Sequence, residues 1–196
     1  MRIAAVAMLF LLGACGDAGD QGADAAASAT PTAAPANPHG EPAALALMAD
    51  GLSLLPAGVF QPQVIGFGAA RAEVEKAAAS AFPGVTPKRG RNAECGAGVI
   101  EYTGYDTLTL NFQDGKLIGW LAADPANIAT IDGIRPGITR ADLESERPLR
   151  MVPGSTLEGE FEYTLPNDTV IGGFLAGSGG SATISALYAG ANCFFR

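Results

Sequence analysis

Three glutamates at alternate positions are the strongest candidates for chemistry in the second half of the chain. Glu158, Glu160 and Glu162 alternate with other residue types, so a strand there would place the three carboxylates on one face. Such a face could bind a cation or a basic partner, or it could be a solvated surface that keeps the strand from aggregating. We treat it as a possible partner-contact face. A carboxylate pair for glycoside hydrolysis would also need a cleft.

Other motifs offer little support for catalysis. "GFGAAR" (66–71) could open a dinucleotide-binding helix, but Arg71 stands where the third small residue belongs, so we predict a plain strand-to-helix turn. "GSGGSAT" (177–183) lacks the lysine of a phosphate loop. Ser178 has no histidine base, because the single histidine, His39, lies in a low-complexity segment. We therefore predict that the protein is not an enzyme and has no catalytic residue, no cofactor and no metal site.

The amino-terminal segment carries the features of an export signal. Arg2 precedes a continuous apolar run over residues 3–14. Twelve residues at about 1.5 Å each would span about 18 Å of helix, too short for a hydrocarbon core of about 30 Å. A positive start, a short apolar run and small residues before a break predict a secretory signal peptide over residues 1–14.

The break itself, Leu12-Gly13-Ala14-Cys15, resembles the lipobox of bacterial lipoproteins. That resemblance implies that the Cys15 thiol receives a diacylglycerol, that the signal is removed, and that the new amino terminus is acylated. Several acyl chains, such as palmitate, would anchor the protein stably in a lipid bilayer. In the Gram-negative lipoproteins that the segment resembles, Asp after the cysteine signals inner-membrane retention. Gly16 stands there in this chain, so the resemblance implies the inner leaflet of the outer membrane, facing the periplasm. Plain secretion with ordinary cleavage is the alternative.

Cys95 and Cys193 are the remaining cysteines. An exported protein reaches an oxidising compartment, where such a pair normally forms a disulfide. With Cys15 lipidated, two thiols remain for one bond. We predict the Cys95–Cys193 disulfide, with free structural thiols as the alternative; two cysteines without histidine are too few to hold a metal.

Charge and composition divide the chain into parts. The net charge of −8 argues against nucleic acid as a partner, and Lys88, Arg89 and Arg91 in "PKRGRN" are predicted to lie in a solvated loop. Residues 15–42 are rich in Ala, Gly and Pro and lack Leu, Ile, Val, Met and aromatics, which predicts a disordered tether behind the lipidated cysteine. Residues 43–196 are long enough for a single domain with one core.

Several elements of that domain have local signals. Strands are predicted at 51–55 and 61–65, and a helix at 69–82 that ends before Pro83-Gly84. Alternating apolar residues predict an antiparallel meander over 98–122, with a two-residue hairpin turn at Asp114-Gly115.

One segment of the sequence occurs twice. "IGFGAARAEVE" from Ile65 and "IRPGITRADLE" from Ile134 share Ile, Gly, Arg, Ala and Glu at matching positions. In the second copy, Thr139 and Asp142 approximate a capping box. We therefore predict an α+β fold in two layers, with two tandem repeats of a short helix plus an antiparallel β-meander, in units of about 51–122 and 123–196.

This plan resembles the small two-layer domains of envelope lipoproteins of the BamE kind, and is similar to tandem-repeat β-lactamase inhibitor proteins. The "ECGAG", "LNFQDGKLIGW" and "NCFFR" stretches also resemble small secreted proteins of alphaproteobacteria. The expected function is an outer-membrane-anchored periplasmic lipoprotein that binds an envelope protein or supports an assembly. The alternatives are a periplasmic enzyme with an Asp/Glu site and an inhibitor of a hydrolase.

Overall fold

A computed structural model describes residues 43–194 of the chain. The predicted signal peptide, the predicted lipidation site Cys15 and the predicted tether lie outside the described residues.

The described residues form twelve strands, two α-helices and one short 3₁₀ turn (Gly179–Ser181). The helices are α1 (Arg71–Ala81) and α2 (Arg140–Glu146). The strands are, in chain order, β1 (Ala44–Met48), β2 (Gly51–Leu55), β3 (Gln63–Gly66), β4 (Lys88–Asn92), β5 (Ile100–Tyr105), β6 (Leu108–Gln113), β7 (Lys116–Ala123), β8 (Ala129–Thr130), β9 (Leu149–Met151), β10 (Glu160–Thr164), β11 (Val170–Ala176) and β12 (Thr183–Gly190).

The strands are arranged in two sheets. The smaller sheet has the order β3-β2-β1-β8, and the larger has the order β4-β5-β6-β7-β12-β11-β10-β9. Strands β1 and β8 pair in parallel, and the other neighbours pair antiparallel. Strand β7 pairs with β12, so the larger sheet runs without a break from β4 to β9.

A single hydrophobic core joins the two sheets and α1. Leu47 and Leu52 from the smaller sheet are fully buried together with Leu110 and Trp120 from the larger one. The indole Nε1 of Trp120 donates a hydrogen bond to the carbonyl of Met48 at 2.8 Å, which satisfies its one polar group inside the core. The core therefore covers one face of the eight-stranded sheet.

Local signals in the sequence account for several of these elements. The hairpin predicted at Asp114-Gly115 is confirmed: both residues have positive φ (51° and 71°), as a two-residue turn between β6 and β7 requires. The capping box predicted at α2 is also confirmed, since Thr139 and Asp142 exchange side-chain and backbone hydrogen bonds. The helix predicted at 69–82 is present as α1.

The predicted α+β class with two tandem helix-plus-meander repeats is wrong. The described residues are mostly β-structure, with sheets of four and eight strands and only two helices. Helix α2 has seven residues and ends before Arg147, which is extended (φ −145°, ψ 141°) because Pro148 follows it. The smaller sheet is built from β1, β2, β3 and β8, which is distant in the sequence. The repeated segment did not indicate this non-local pairing.

The basic segment predicted as a solvated loop is instead strand β4, at the edge of the eight-stranded sheet. Lys88 and Arg91 are exposed on this edge. Charged residues on an edge strand hinder pairing with another chain, which explains why such a polar sequence is tolerated in a strand.

Candidate binding surface on the eight-stranded sheet

The face of the eight-stranded sheet that points away from the core is the candidate functional surface, here called the outer face. Side chains along a strand alternate between faces, and Leu108, Leu110 and Leu187 point into the core with no exposed surface. Their chain neighbours therefore lie on the outer face. One row of directly opposed residues crosses this face from β5 to β10: Gly104, Thr109, Leu121, Tyr188, Gly172 and Glu162.

Two tyrosine rings lie against glycines on the outer face. The ring of Tyr102 occupies the space that a Cβ on its opposed neighbour Gly90 would need. The ring of Tyr188 lies in the same way over Gly172. Without side chains at these two glycines, the rings approach the sheet closely and form part of its surface.

The C-terminal segment (191–194) follows β12 and lies beside the outer face. The backbone N–H of Ala191 donates to the carbonyl of Ile118 at 2.8 Å. Asn111 Nδ2 donates to the carbonyl of Ala191 at 3.3 Å and to Asn192 Oδ1 at 2.7 Å. The ring of Phe194 packs edge-on against Tyr188, with centroids 4.9 Å apart. The outer face thus already binds one peptide segment, through an amide and an aromatic ring.

A cavity of about 280 Å³ lies between the outer face and this segment. Its walls carry no charged side chain and consist of Asn92, Ile100, Tyr102, Thr109, Asn111, Leu121, Asn192, Cys193 and Phe194. Tyr102, which is 38% exposed, and Thr109 both contribute a hydroxyl to these walls. The cavity therefore offers apolar walls and hydrogen-bonding groups to an uncharged ligand.

The structure places Cys95 and Cys193 together at the side of this cavity. Asn92 Nδ2 donates to Cys193 Sγ at 3.3 Å. A hydrogen bond with the Cys95 thiol, together with desolvation, raises the pKa of Cys193 to about 11. Because the thiolate is the reactive form, Cys193 is a poor nucleophile at neutral pH. Both cysteines are free thiols in this structure, so the disulfide stays a prediction, now with the two thiols in contact.

The three glutamates do not form one exposed face. Glu158 is exposed in the loop before β10, whereas Glu160 is only 2% exposed. Glu160 accepts hydrogen bonds from Ser155 Oγ and from the Tyr188 hydroxyl, the latter at 2.8 Å. Glu162 forms an ion pair with Arg150 at 2.9 Å. Of the predicted partner-contact residues, Glu160 is thus covered.

The cause is the glycine in β11. Gly172 lies directly between Tyr188 and Glu162 in the row across the sheet. Because Gly172 has no side chain, the Tyr188 ring extends over it towards β10 and its hydroxyl reaches Glu160. Alternation along β10 alone could not reveal this contact.

A second carboxylate cluster lies beside α1. Glu75 accepts hydrogen bonds from Arg71 at 2.9 Å, Arg89 at 2.9 Å and Thr103 at 2.7 Å. The bond from Arg89, with those from Thr103 and Arg71, lowers the pKa of Glu75 to about 2 against the opposing effect of burial. Glu75 thus stays ionised and accepts hydrogen bonds from three side chains. Such a carboxylate is suited to holding α1 against β4 and β5 rather than to proton transfer.

Sequence reasoning missed most of the cavity. Asn92, Asn111 and Asn192 come from three distant segments, and Tyr102 gains its position from a glycine on the neighbouring strand. The "NCFFR" stretch was a partial signal, because it supplies Asn192, Cys193 and Phe194.

Two searches of the described residues 43–194 concern metals and membranes. No group of three or more His, Cys, Asp or Glu in that range is placed to hold a metal ion. No helix in that range is long and apolar enough to cross a membrane.

Comparison with known proteins adds no relative to this picture. No family model, no curated protein and no solved structure matches the chain.

Proposed function

We propose that this chain is a non-catalytic binding protein of the cell envelope. It is held by acyl chains on Cys15 at the inner leaflet of the outer membrane and faces the periplasm. Its partner is an envelope protein, which contributes an extended, uncharged segment to the outer face of the eight-stranded sheet. The observation that carries the proposal is the uncharged cavity beside the C-terminal segment.

The chemistry of the cavity favours a peptide segment as the occupant. The same face holds residues 191–194 through the Asn111 amide and through contacts between aromatic rings. A partner segment beside it would meet the hydroxyls of Tyr102 and Thr109 and the apolar side chain of Leu121. At about 280 Å³ the cavity is near the lower end of ligand pockets, roughly 300–1,000 Å³, a size suited to one or two side chains.

The enzyme alternative requires two facing carboxylates in a cleft. No aspartate or glutamate lines the 280 Å³ cavity. Glu75 and Glu160, the carboxylates with the most contacts, are each held by hydrogen bonds from neighbouring side chains. The inhibitor alternative is a special case of protein binding, and the identity of the partner separates it from a structural role.

Site-specific photo-crosslinking in cells tests this proposal. A photoreactive residue replaces Tyr102 or Leu121 in the full-length chain, and Ile131, which is 56% exposed in the turn after β8, serves as the control position. We expect both outer-face positions to give an adduct with the same protein, and Ile131 to give none.

A charge placed in the cavity provides a second arm. Thr109→Lys should abolish the adduct, because an unpaired ammonium in the cavity opposes an uncharged segment. Thr107→Lys, with the same change in the turn before β6, should leave the adduct intact. Adducts that are identical at all positions, or none at the outer face, would overturn the proposal.

A further inference from the structure

The most exposed apolar segment of the described residues is the loop between β2 and β3 (56–62), here called the β2–β3 loop. Phe60 is fully exposed, at 100%, and Val59 is 47% exposed. Leu55 and Val64, which flank the loop, are 39% and 61% exposed. Four of the ten large exposed apolar residues among the described residues thus fall within one ten-residue stretch. Clustered exposure of this kind marks an interaction site.

The loop is built to hold these side chains outward. The backbone N–H of Val59 donates to the carbonyl of Pro56 at 3.1 Å, and Gly58 has a positive φ of 74°. This is a β-turn with glycine at its third position, and it precedes Phe60 directly. Between Gly51 and Gly66 the sequence contains no charged residue.

The position of the loop in the fold indicates what it contacts. Ala44, at the start of β1, pairs with Leu55, at the end of β2. The chain that precedes β1 therefore joins the domain at the same end of the smaller sheet from which the β2–β3 loop projects. That preceding chain carries Cys15, the proposed lipid anchor, 28 residues before Ala43.

We propose that the β2–β3 loop inserts Phe60 and Val59 into the interfacial region of the membrane to which the chain is anchored. This inference rests on the proposed function, since the anchor brings the loop to the bilayer. Exposed aromatic and aliphatic side chains on an uncharged loop suit the boundary between headgroups and acyl chains. Lys76, exposed on α1, lines a hollow of about 330 Å³ together with Pro56, Gln63 and Glu73. Glu73 accepts a hydrogen bond from Gln63 Nε2 at 3.3 Å, and the Lys76 ammonium is exposed to headgroups beside it.

Tryptophan quenching in vesicles tests the insertion. The mature full-length lipoprotein carrying Phe60→Trp is reconstituted in phosphatidylethanolamine and phosphatidylglycerol vesicles with brominated acyl chains. Trp120, the one native tryptophan, is buried and gives the same background in every variant. After the wild-type emission is subtracted, we expect the emission that Phe60→Trp adds to fall roughly twofold relative to vesicles without bromine, as for a side chain at the interface.

Ile131→Trp is the matched control. Ile131 is also an exposed apolar residue, but it lies in the turn after β8 next to Met48, at the opposite end of β1 from Ala44. Its emission should not change on bromination. Equal emission of Phe60→Trp in both kinds of vesicle, or equal quenching of both variants, overturns the proposal, as does burial of Phe60 in a dimer of the chain without quenching.

Acyl labelling of the same preparation separates this inference from the anchor. A labelled protein without quenching of Phe60→Trp rejects the loop insertion and leaves the anchor intact. If the chain carries no label, the anchor is rejected. The two variants are then added to preformed vesicles, and absence of selective quenching of Phe60→Trp there rejects the insertion as well.

Discussion

Helices α1 and α2 begin with nearly the same sequence, yet the shared residues make different numbers of contacts because the surroundings of the two helices differ. Each helix carries an Arg–Glu ion pair one turn apart, Arg71–Glu75 at 2.9 Å and Arg140–Glu144 at 2.8 Å. The similar local sequence therefore produces the same ion pair in both helices. What differs is the number of strands that cover it.

At α1 the pair is part of a network that reaches β4 and β5. Glu75 is 18% exposed and also binds Arg89 and Thr103. Glu144 is 41% exposed and, among the described residues, its side chain binds Arg140 alone. An ion pair on a helix therefore becomes structurally important when neighbouring strands supply further partners and exclude water.

The N-terminal caps show the opposite difference, because α2 has the stronger cap. Ala70, before α1, provides no side-chain cap, whereas Thr139 and Asp142 form a full capping box before α2. Helix α1 is thus held mainly by tertiary contacts, while α2, with seven residues, depends more on bonds within its own first turn.

The predicted Cys95–Cys193 disulfide would tie the α1 side of the domain, and not the α2 side, to the C-terminal segment. Cys95 follows β4, the strand beside α1, and lies against Cys193. If the predicted disulfide forms, Cys193→Ser should lower the unfolding free energy of the oxidised protein by roughly 2–5 kcal/mol, because the bond closes a long loop. Denaturant unfolding measures this, and reductant should affect the wild type but not the variant. Two free thiols in a non-reducing mass measurement would reject the bond.

Removing each glutamate tests the comparison directly. Glu75→Ala should cost about 2–3 kcal/mol of unfolding free energy, because Arg71, Arg89 and Thr103 lose their common acceptor. Glu144→Ala, the matched change, should cost less than about 0.5 kcal/mol, as for an exposed helix pair. Equal losses in the two variants would contradict the difference between the helices.

The same carboxylate predicts a pH dependence. The pKa of Glu75 is lowered from 4.5 to about 2 in the folded protein, so its contribution is fully present above the unfolded value and is lost as pH falls from about 5 to 2. With allowance for screening around the half-exposed Arg89, this contribution is about 1–2 kcal/mol. Urea unfolding at pH 6 and pH 3 should show a smaller stability loss in Glu75→Gln than in the wild type. The same loss in both proteins would assign the acid sensitivity to other groups.

The smallest effects concern the caps. Thr139→Ala should destabilise the protein by about 1 kcal/mol through loss of the capping box. Ala70→Ser, at an exposed and extended position, should stabilise it by up to about 1 kcal/mol by adding the missing acceptor. Thermal unfolding of both variants measures the sign. A gain at Thr139→Ala would contradict the dependence of α2 on its cap.

Local signals made part of this fold predictable from the sequence. The Asp114-Gly115 hairpin, the end of α1 before Pro83 and the Thr139 cap each depend on residues only a few positions apart. The smaller sheet could not be predicted from local signals, because β1 pairs in parallel with β8, more than eighty residues later. The similarity of the two helix entries suggested repeated units, whereas strand pairing across the whole domain determined the architecture.

The outer face was beyond sequence reasoning for a related reason. The contacts of Tyr102 with Gly90 and of Tyr188 with Gly172 depend on strand register, which composition does not reveal. The burial of Glu160 follows from the second of these contacts. Alternation correctly placed Leu108 and Leu110 in the core and Thr109 on the opposite face, but it could not show which side chains on a face are covered.

Intact mass measurement of the mature protein from cells tests the lipid anchor, on which both the proposed function and the loop inference rest. We expect a mature chain that begins at Cys15 and carries acyl chains, with acyl label lost in Cys15→Ser. A mature chain without acyl groups, or a label that Cys15→Ser leaves unchanged, would contradict it.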